Sequence, residues 1–161
     1  MVKLFSLDNN PAILYEVELP ESALVLRKEV RKFLAQELAV GSFVPRCDAW
    51  VASFSAEFSA KLGQQGWLGM TWPRRYGGQE RSMLDRYVLT EELLTAGAPV
   101  AAHWFADRQS GPIIMRYGTE EQRMRFLPAI ARGECFFSIG MSEPEAGSDL
   151  SAIRRDRKSV V

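Results

Sequence analysis

Only two cysteines, Cys47 and Cys135, and a single histidine, His103, occur among the 161 residues. The cysteines lie far apart with no histidine at ligand spacing, which argues against both a disulfide framework and a zinc site. Both are expected to be buried thiols. Charge of one sign is missing too, since 20 basic residues cancel 20 acidic ones. No long-range field would gather nucleic acid or an anionic membrane surface, and neither is expected as a partner. No apolar run approaches the length of a bilayer span. Met1 to Tyr15 lacks the basic start, apolar centre and small-residue cleavage site of a secretory signal. The chain is therefore expected in the cytoplasm. It contains neither an internal repeat nor a low-complexity segment.

What is present is an ordinary globular composition, 47% hydrophobic and 25% charged, enough for one core. Helical spacing dominates. Leu26, Val30, Phe33, Leu34 and Leu38 define an amphipathic helix from Ser22 to Leu38 that starts near Pro20 and turns Arg27, Lys28, Arg31 and Lys32 the other way. Trp50, Phe54, Phe58 and Leu62 predict a second helix that stops near Gly63 and Gly66. From Trp67 to Arg81, rings alternate with turn formers, which reads as a loop pinned to the core by Trp67, Trp72 and Tyr76. Ser82 with Asp85 three residues on is a capping-box start for a third helix through Leu84, Tyr87, Val88 and Leu94. A fourth, from Val100 to Arg116, is apolar over much of its surface and is interrupted by Gly111 and Pro112. Thr119 with Gln122 caps a fifth, with Glu120 and Glu121 at its positive end, Pro128 placed to bend it and Gly133 to stop it.

The pattern then changes. Cys135 to Ser142 is a short, nearly continuous apolar run and reads as a buried strand opening a new domain. Directly after it, Pro144 fixes the backbone, Gly147 permits a positive φ or a close ligand approach, and Ser142 and Ser148 offer hydroxyls beside backbone amides. Successive amides of this kind can form a nest for an anion such as a pyrophosphate. Taken alone, that reading and plain turn chemistry stand level.

The order Gly140-Met-Ser-Glu-Pro-Glu-Ala-Gly-Ser-Asp-Leu-Ser-Ala152 resembles the signature of the acyl-CoA dehydrogenases, flavoenzymes that desaturate acyl-CoA thioesters. Three further stretches look like the same family, in its order: Gly66-Trp-Leu-Gly-Met-Thr-Trp-Pro-Arg-Arg-Tyr-Gly-Gly78, Thr90-Glu-Glu-Leu93, and Tyr117 to Gln122 running on to Leu127-Pro128. The resemblance covers roughly residues 20 to 155. It implies a mostly α fold, the family's N-terminal orthogonal helical bundle, followed by the first strand of an incomplete β-barrel domain. The expected divisions are an N-terminal extension over 1–19, the helical domain over 20–133, the start of the middle domain over 134–155, and a tail over 156–161. That tail, Asp156-Arg-Lys-Ser-Val-Val161, reads as the conceptual translation of a sequencing adapter and is expected to be artefactual.

The resemblance further implies FAD as cofactor. Ile139, Met141 and Ser142 would lie along the flavin, and Ser148 at the FAD pyrophosphate and the CoA part of the substrate. Val100, Ala101 and Trp104 would line the acyl end of the substrate cavity, with ordinary core packing as the alternative. The catalytic base is expected in a C-terminal domain that this chain lacks, so no residue here is assigned that role. Glu143 and Glu145 are read as shaping the turn, and His103 as a packed residue. A parent enzyme of this kind would take an acyl-CoA, pass electrons to an acceptor flavoprotein and assemble as a homo- or hetero-tetramer. The helix from Ala101 to Gly111 resembles family members that take bulky, including steroid-derived, thioesters, and fatty acyl chains are equally compatible. An acyl-CoA oxidase fragment and a non-catalytic helical interaction module are the alternatives, and the chain by itself is expected to be inactive and to hold FAD weakly or not at all.

Overall fold

The computed structural model describes the backbone at 3–7, 10–14, 18–140, 142–144 and 146–153, with side chains from residue 18 onward except Leu150. Met141, Glu145 and the tail at 156–161 lie outside the described residues. At the N-terminus, β1 (Lys3–Leu7) pairs antiparallel with β2 (Asn10–Leu14), a hairpin within the stretch expected only as an extension.

The remainder is helical, as expected. Helix α1 (Glu21–Ala39) follows Pro20, which stands at its N-cap, where a fixed φ and a missing N–H cost the helix nothing. Its predicted stripe is its buried face: Leu26, Val30 and Leu34 pack with Phe58, Leu62, Leu89, Leu93 and Val100 in the larger core cluster. Each such side chain contributes about 1.5–3 kcal/mol relative to exposure. Leu38, expected on that stripe, is exposed. The opposite edge of α1 is not merely solvated. Arg31 grips the buried Glu92 with Nε at 2.8 Å and Nη2 at 2.9 Å, and Arg27 pairs with Glu91. This forked contact ties α1 to α4 (Met83–Thr95).

The second predicted helix is two. A short α2 (Ala49–Ala52) ends at Ser53, whose backbone is extended, and α3 (Ala56–Gln64) restarts under a Ser55 cap that accepts from the Phe58 amide at 3.1 Å. Serine competes well for the N-cap and poorly for a helix interior, so the break falls at the Ser-Phe-Ser stretch despite unbroken apolar spacing. Phe54 is exposed as a consequence. The capping boxes predicted at Ser82 and Thr119 are both formed, opening α4 and the last long helix.

The loop after α3 is packed as read from its rings. Trp67, Leu68, Met70, Trp72 and Tyr76 are all at most 5% exposed, and the Tyr76 hydroxyl donates to Glu120 at 2.9 Å. The Trp72 indole lies where a Cβ at Gly69 (φ +60) or at Gly111 would sit 2.5 or 2.4 Å from its ring carbons. Those two positions therefore admit only glycine without movement.

The fourth predicted helix is interrupted just before Gly111 and Pro112, the residues expected to break it, and these two open its next segment. Helix α5 (Ala101–Phe105) passes through a π-helical turn over Ala106–Ser110 into α6 (Gly111–Tyr117). Pro112 has no N–H, and placing it in the first turn of a new helix avoids an unmade bond. Helix α7 (Glu120–Ala131) continues through Pro128 and ends before Gly133 at φ +71. Its Leu127 and Ile130 join Trp72, Tyr76 and Ala106 in a second core cluster.

Beyond Gly133 the expectation of a buried strand fails. Residues 134–140 carry no strand pairing; Cys135, Phe136 and Phe137 are half-buried and 138–140 are exposed. A strand needs a paired neighbour, and among the described residues the one ladder is that of β1 with β2. Phe136 packs instead edge-on to Phe54 at 5.5 Å, and Phe137 against Phe126 at 6.0 Å. The expectation for the thiols is also corrected, since Cys47 is exposed and Cys135 half-buried.

Candidate functional site

The turn singled out in the sequence closes on itself. The Glu143 amide donates to the Ala146 carbonyl at 2.9 Å and the Ala146 amide to the Glu143 carbonyl at 3.1 Å, with Pro144 at the tip and Ala146 buried. Those two amides are thus used inside the turn, and an anion would be met instead by Gly147 and Ser148, whose amides make no internal backbone bond among the described residues. Gly147 does not adopt a positive φ. A Cβ added there would meet nothing within 4 Å, so its glycine leaves open space where a ligand can approach the backbone. Ser142 and Ser148 are both exposed, with hydroxyls available to a ligand. Asp149 caps the following 3-10 turn over Leu150–Ala152, its Oδ1 accepting from the Ser151 amide at 3.2 Å and from the Ser151 hydroxyl at 2.5 Å. Ile139 is 38% exposed. Met141, the remaining residue expected along a flavin, is outside the described residues. Exposed hydroxyls at Ser142 and Ser148 and a glycine with open space beside it leave this turn accessible to a ligand.

The second candidate group splits. Val100 is fully enclosed in the core, so it supports a wall and does not face open space. Ala101 and Trp104 are partly exposed. The Ala101 amide donates to the Ser53 carbonyl at 3.2 Å, and Trp104 leans on Trp50 at 6.0 Å between centroids. The α2–α3 junction is therefore shared: Trp50 and Ser53 hold the start of α5, and Phe54 holds Phe136 on the way to Ser142.

His103 is packed, as read. It is 4% exposed with Nδ1 at 2.8 Å from the Ser59 hydroxyl, and burial, assisted by Arg108, lowers its pKa to about 3. It is neutral at physiological pH and unsuited to proton transfer there.

Asp107, Arg108 and Arg86 were not anticipated. Asp107 accepts from the Gly69 amide at 2.8 Å and stands 4.0 Å from Arg86. Burial raises its pKa against the opposing pull of Arg86 and that amide. The Arg108 guanidinium lies 4.1 Å over the Trp104 ring and donates to Thr90, and burial lowers its pKa. The available signal was a charged pair, Asp107-Arg108, inside an otherwise apolar helix. Among the described residues no group of three or more His, Cys, Asp or Glu could hold a metal, and no helix is long and apolar enough to cross a membrane.

Comparison with known proteins places this geometry. The family described as "Acyl-CoA dehydrogenase, N-terminal domain" matches residues 20–134. Acyl-CoA dehydrogenase FadE26 of Mycobacterium tuberculosis is 42% identical over 135 residues, 80% of this chain and 33% of that protein. Among solved structures, the ChsE4-ChsE5 complex from Mycobacterium tuberculosis superposes with a TM-score of 0.70 at 38% identity, over 89% of this chain and 37% of that one. The Tcur3481-Tcur3483 steroid ACAD gives a TM-score of 0.70 at 35% identity, over 86% of this chain and 36% of that one. The chain thus spans about a third of the length of these relatives. The match over residues 20–134 and the similarity to FadE26 assign it: the chain belongs to the acyl-CoA dehydrogenase family and carries that family's N-terminal domain.

Proposed function

We propose that this chain is the front part of an FAD-dependent enzyme that introduces an α,β-double bond into an acyl-CoA thioester in the cytoplasm. The observation that carries the reading is the Ser142–Ser148 turn, with its exposed hydroxyls and the open space at Gly147, directly after a domain of this family. FAD, when bound, accepts the hydride that leaves the substrate's β-carbon. This chain's residues would hold it: the Ser142 hydroxyl would donate to the polar edge of the ring system, and Ile139 and Met141 would flank it. Fixed donors aimed at developing charge need no reorganisation during the reaction. Gly147 and Ser148 meet the pyrophosphate, and Ser148 also meets the CoA moiety. Ala101 and Trp104 form the apolar end for the acyl group, backed by the buried Val100. The neighbours described as a steroid ACAD and as a ChsE4-ChsE5 complex support a bulky acyl group and an assembly of more than one chain; the proposed parent is a homo- or hetero-tetramer that passes electrons to an acceptor flavoprotein.

The family match covers the N-terminal domain alone, and the chain by itself is expected to be inactive and to purify colourless. A chain that purifies yellow and desaturates a thioester refutes this point. In a full-length parent, Ser148→Ala is expected to lower flavin content or raise KM for the acyl-CoA, and Ser142→Ala to lower kcat. A parent purified free of flavin, or indifferent to both changes, would overturn the reading.

A further inference from the structure

We propose that the cleft between α4 and the α5–π-turn segment binds a small organic carboxylate with a flat or apolar body. The cleft encloses about 450 Å³ and is lined by Met83, Arg86, Tyr87, Thr90, Trp104 and Arg108. That volume lies within the range of small-molecule sites, about 300–1,000 Å³. Its walls divide into two parts. Met83, Tyr87 and Trp104 supply apolar and aromatic surface, while Arg86 and Arg108 supply two half-buried guanidiniums.

Among the described residues neither cation has a carboxylate within hydrogen-bond distance. Arg108 stacks on Trp104 at 4.1 Å and donates to the Thr90 hydroxyl, and that single bond leaves most of its five donors unused among the described residues. Arg86 reaches its nearest acid, Asp107, only at 4.0 Å, beyond hydrogen-bond range. The carboxylate of Asp107 is itself turned to the Gly69 amide at 2.8 Å. Two cations against one committed acid leave the cleft positive. Burial works against the Arg108 charge, and an incoming anion would compensate it.

A planar guanidinium held flat on an indole presents its edge donors as a fork, the geometry that matches a carboxylate. The stack restricts the side chain before any ligand arrives. The apolar wall adds the demand for a hydrophobic body, which inorganic anions lack. The acyl-end reading uses the Trp104 indole as a wall. The present inference uses the cations beside it and stands without that reading.

The test is titration of the purified chain with cinnamate, followed by the indole N–H resonance of Trp104, assigned by its loss in Trp104→Phe. A saturable shift of that resonance is expected, with Trp67, which does not line the cleft, unmoved. The neutral cinnamamide and inorganic phosphate are each expected to bind at least roughly tenfold more weakly, about 1.4 kcal/mol. Arg108→Gln and Arg86→Gln should each weaken cinnamate roughly tenfold, while Arg46→Gln, an exposed residue paired with Asp48, should leave it unchanged. Where Arg108→Gln melts without a folded baseline, Arg86→Gln decides. Absence of a saturable shift overturns the proposal. So does equal binding of cinnamamide or phosphate, or retained affinity in a folded arginine variant.

Discussion

Replacing Gly111 by alanine tests the packing argument most directly. The new methyl would sit 2.4 Å from Cη2 and Cζ2 of Trp72 and 2.9 Å from the Ala106 carbonyl oxygen, where carbon–carbon contacts settle at about 3.5–4.0 Å. The indole cannot simply retreat. Its other edge already lies against Gly69, where a Cβ would stand 2.5 Å from Cε3, and the ring is 3% exposed. Overpacking of this kind costs about 1–3 kcal/mol. Against it stands the gain from replacing glycine in a helix, at most about 1 kcal/mol, and smaller at the first position of α6. A net loss of about 1–2 kcal/mol is expected, which lowers Tm by about 2–8 °C in a chain of this size. Thermal melts followed by circular dichroism at several scan rates measure it, and urea titration checks that the slope is unchanged. The double variant Gly111→Ala with Trp72→Phe should be less destabilised than the sum of the singles by at least about 0.5 kcal/mol, because the smaller ring relieves the clash. A Gly111→Ala chain that melts at or above the parent temperature would refute the reasoning.

Two further expectations follow from capping and from buried ionisation. Ser82→Ala removes the acceptor of the Asp85 amide, a 3.0 Å bond at the start of α4, and should cost about 1 kcal/mol in urea unfolding, with Ser82→Gly costing a few tenths; equal losses for both would show that the cap is not the cause. His103 has its folded pKa lowered from 6.5 to about 3, so between those values the unfolded chain holds the extra proton. Its contribution is therefore complete above pH 6.5 and is lost as pH falls, by at most about 1.4 kcal/mol per unit. Asp107, whose pKa is raised above 3.8, acts in the opposite direction over the window just above that value, because there the folded chain holds the proton. Stability measured between pH 7 and 4 should fall less steeply in His103→Gln and more steeply in Asp107→Asn, and parallel profiles for all three chains would contradict the assignment.

The helices were legible where spacing and end signals agreed. The stripe at Leu26, Val30 and Leu34 and the capping boxes at Ser82 and Thr119 are local features, and local geometry suffices to form them. The break between α2 and α3 was not read, because apolar spacing continued through Phe54 while two serines competed for the cap. Cys135 to Ser142 failed differently. An apolar run says that a segment seeks burial, and whether it becomes a strand depends on a partner elsewhere in space. For the candidate site, the turn at Ser142 to Ser148 and the room for a close approach at Gly147 were visible from residue order, whereas the positive φ also allowed there is not adopted. Val100 looked like a lining residue and proved to be enclosed.

From its order of residues alone this chain specified helix starts and stops, the rings of the Trp67–Arg81 loop as anchors, and the turn that carries its family signature, because each depends on groups within a few positions of one another. Tertiary structure alone decided that Gly111 exists for Trp72, that Arg31 and Glu92 lock α1 to α4, and that Arg86, Arg108 and Trp104 share one cleft. Those contacts join residues as many as 61 positions apart, and side chains that distant acquire a common environment only after the bundle has closed.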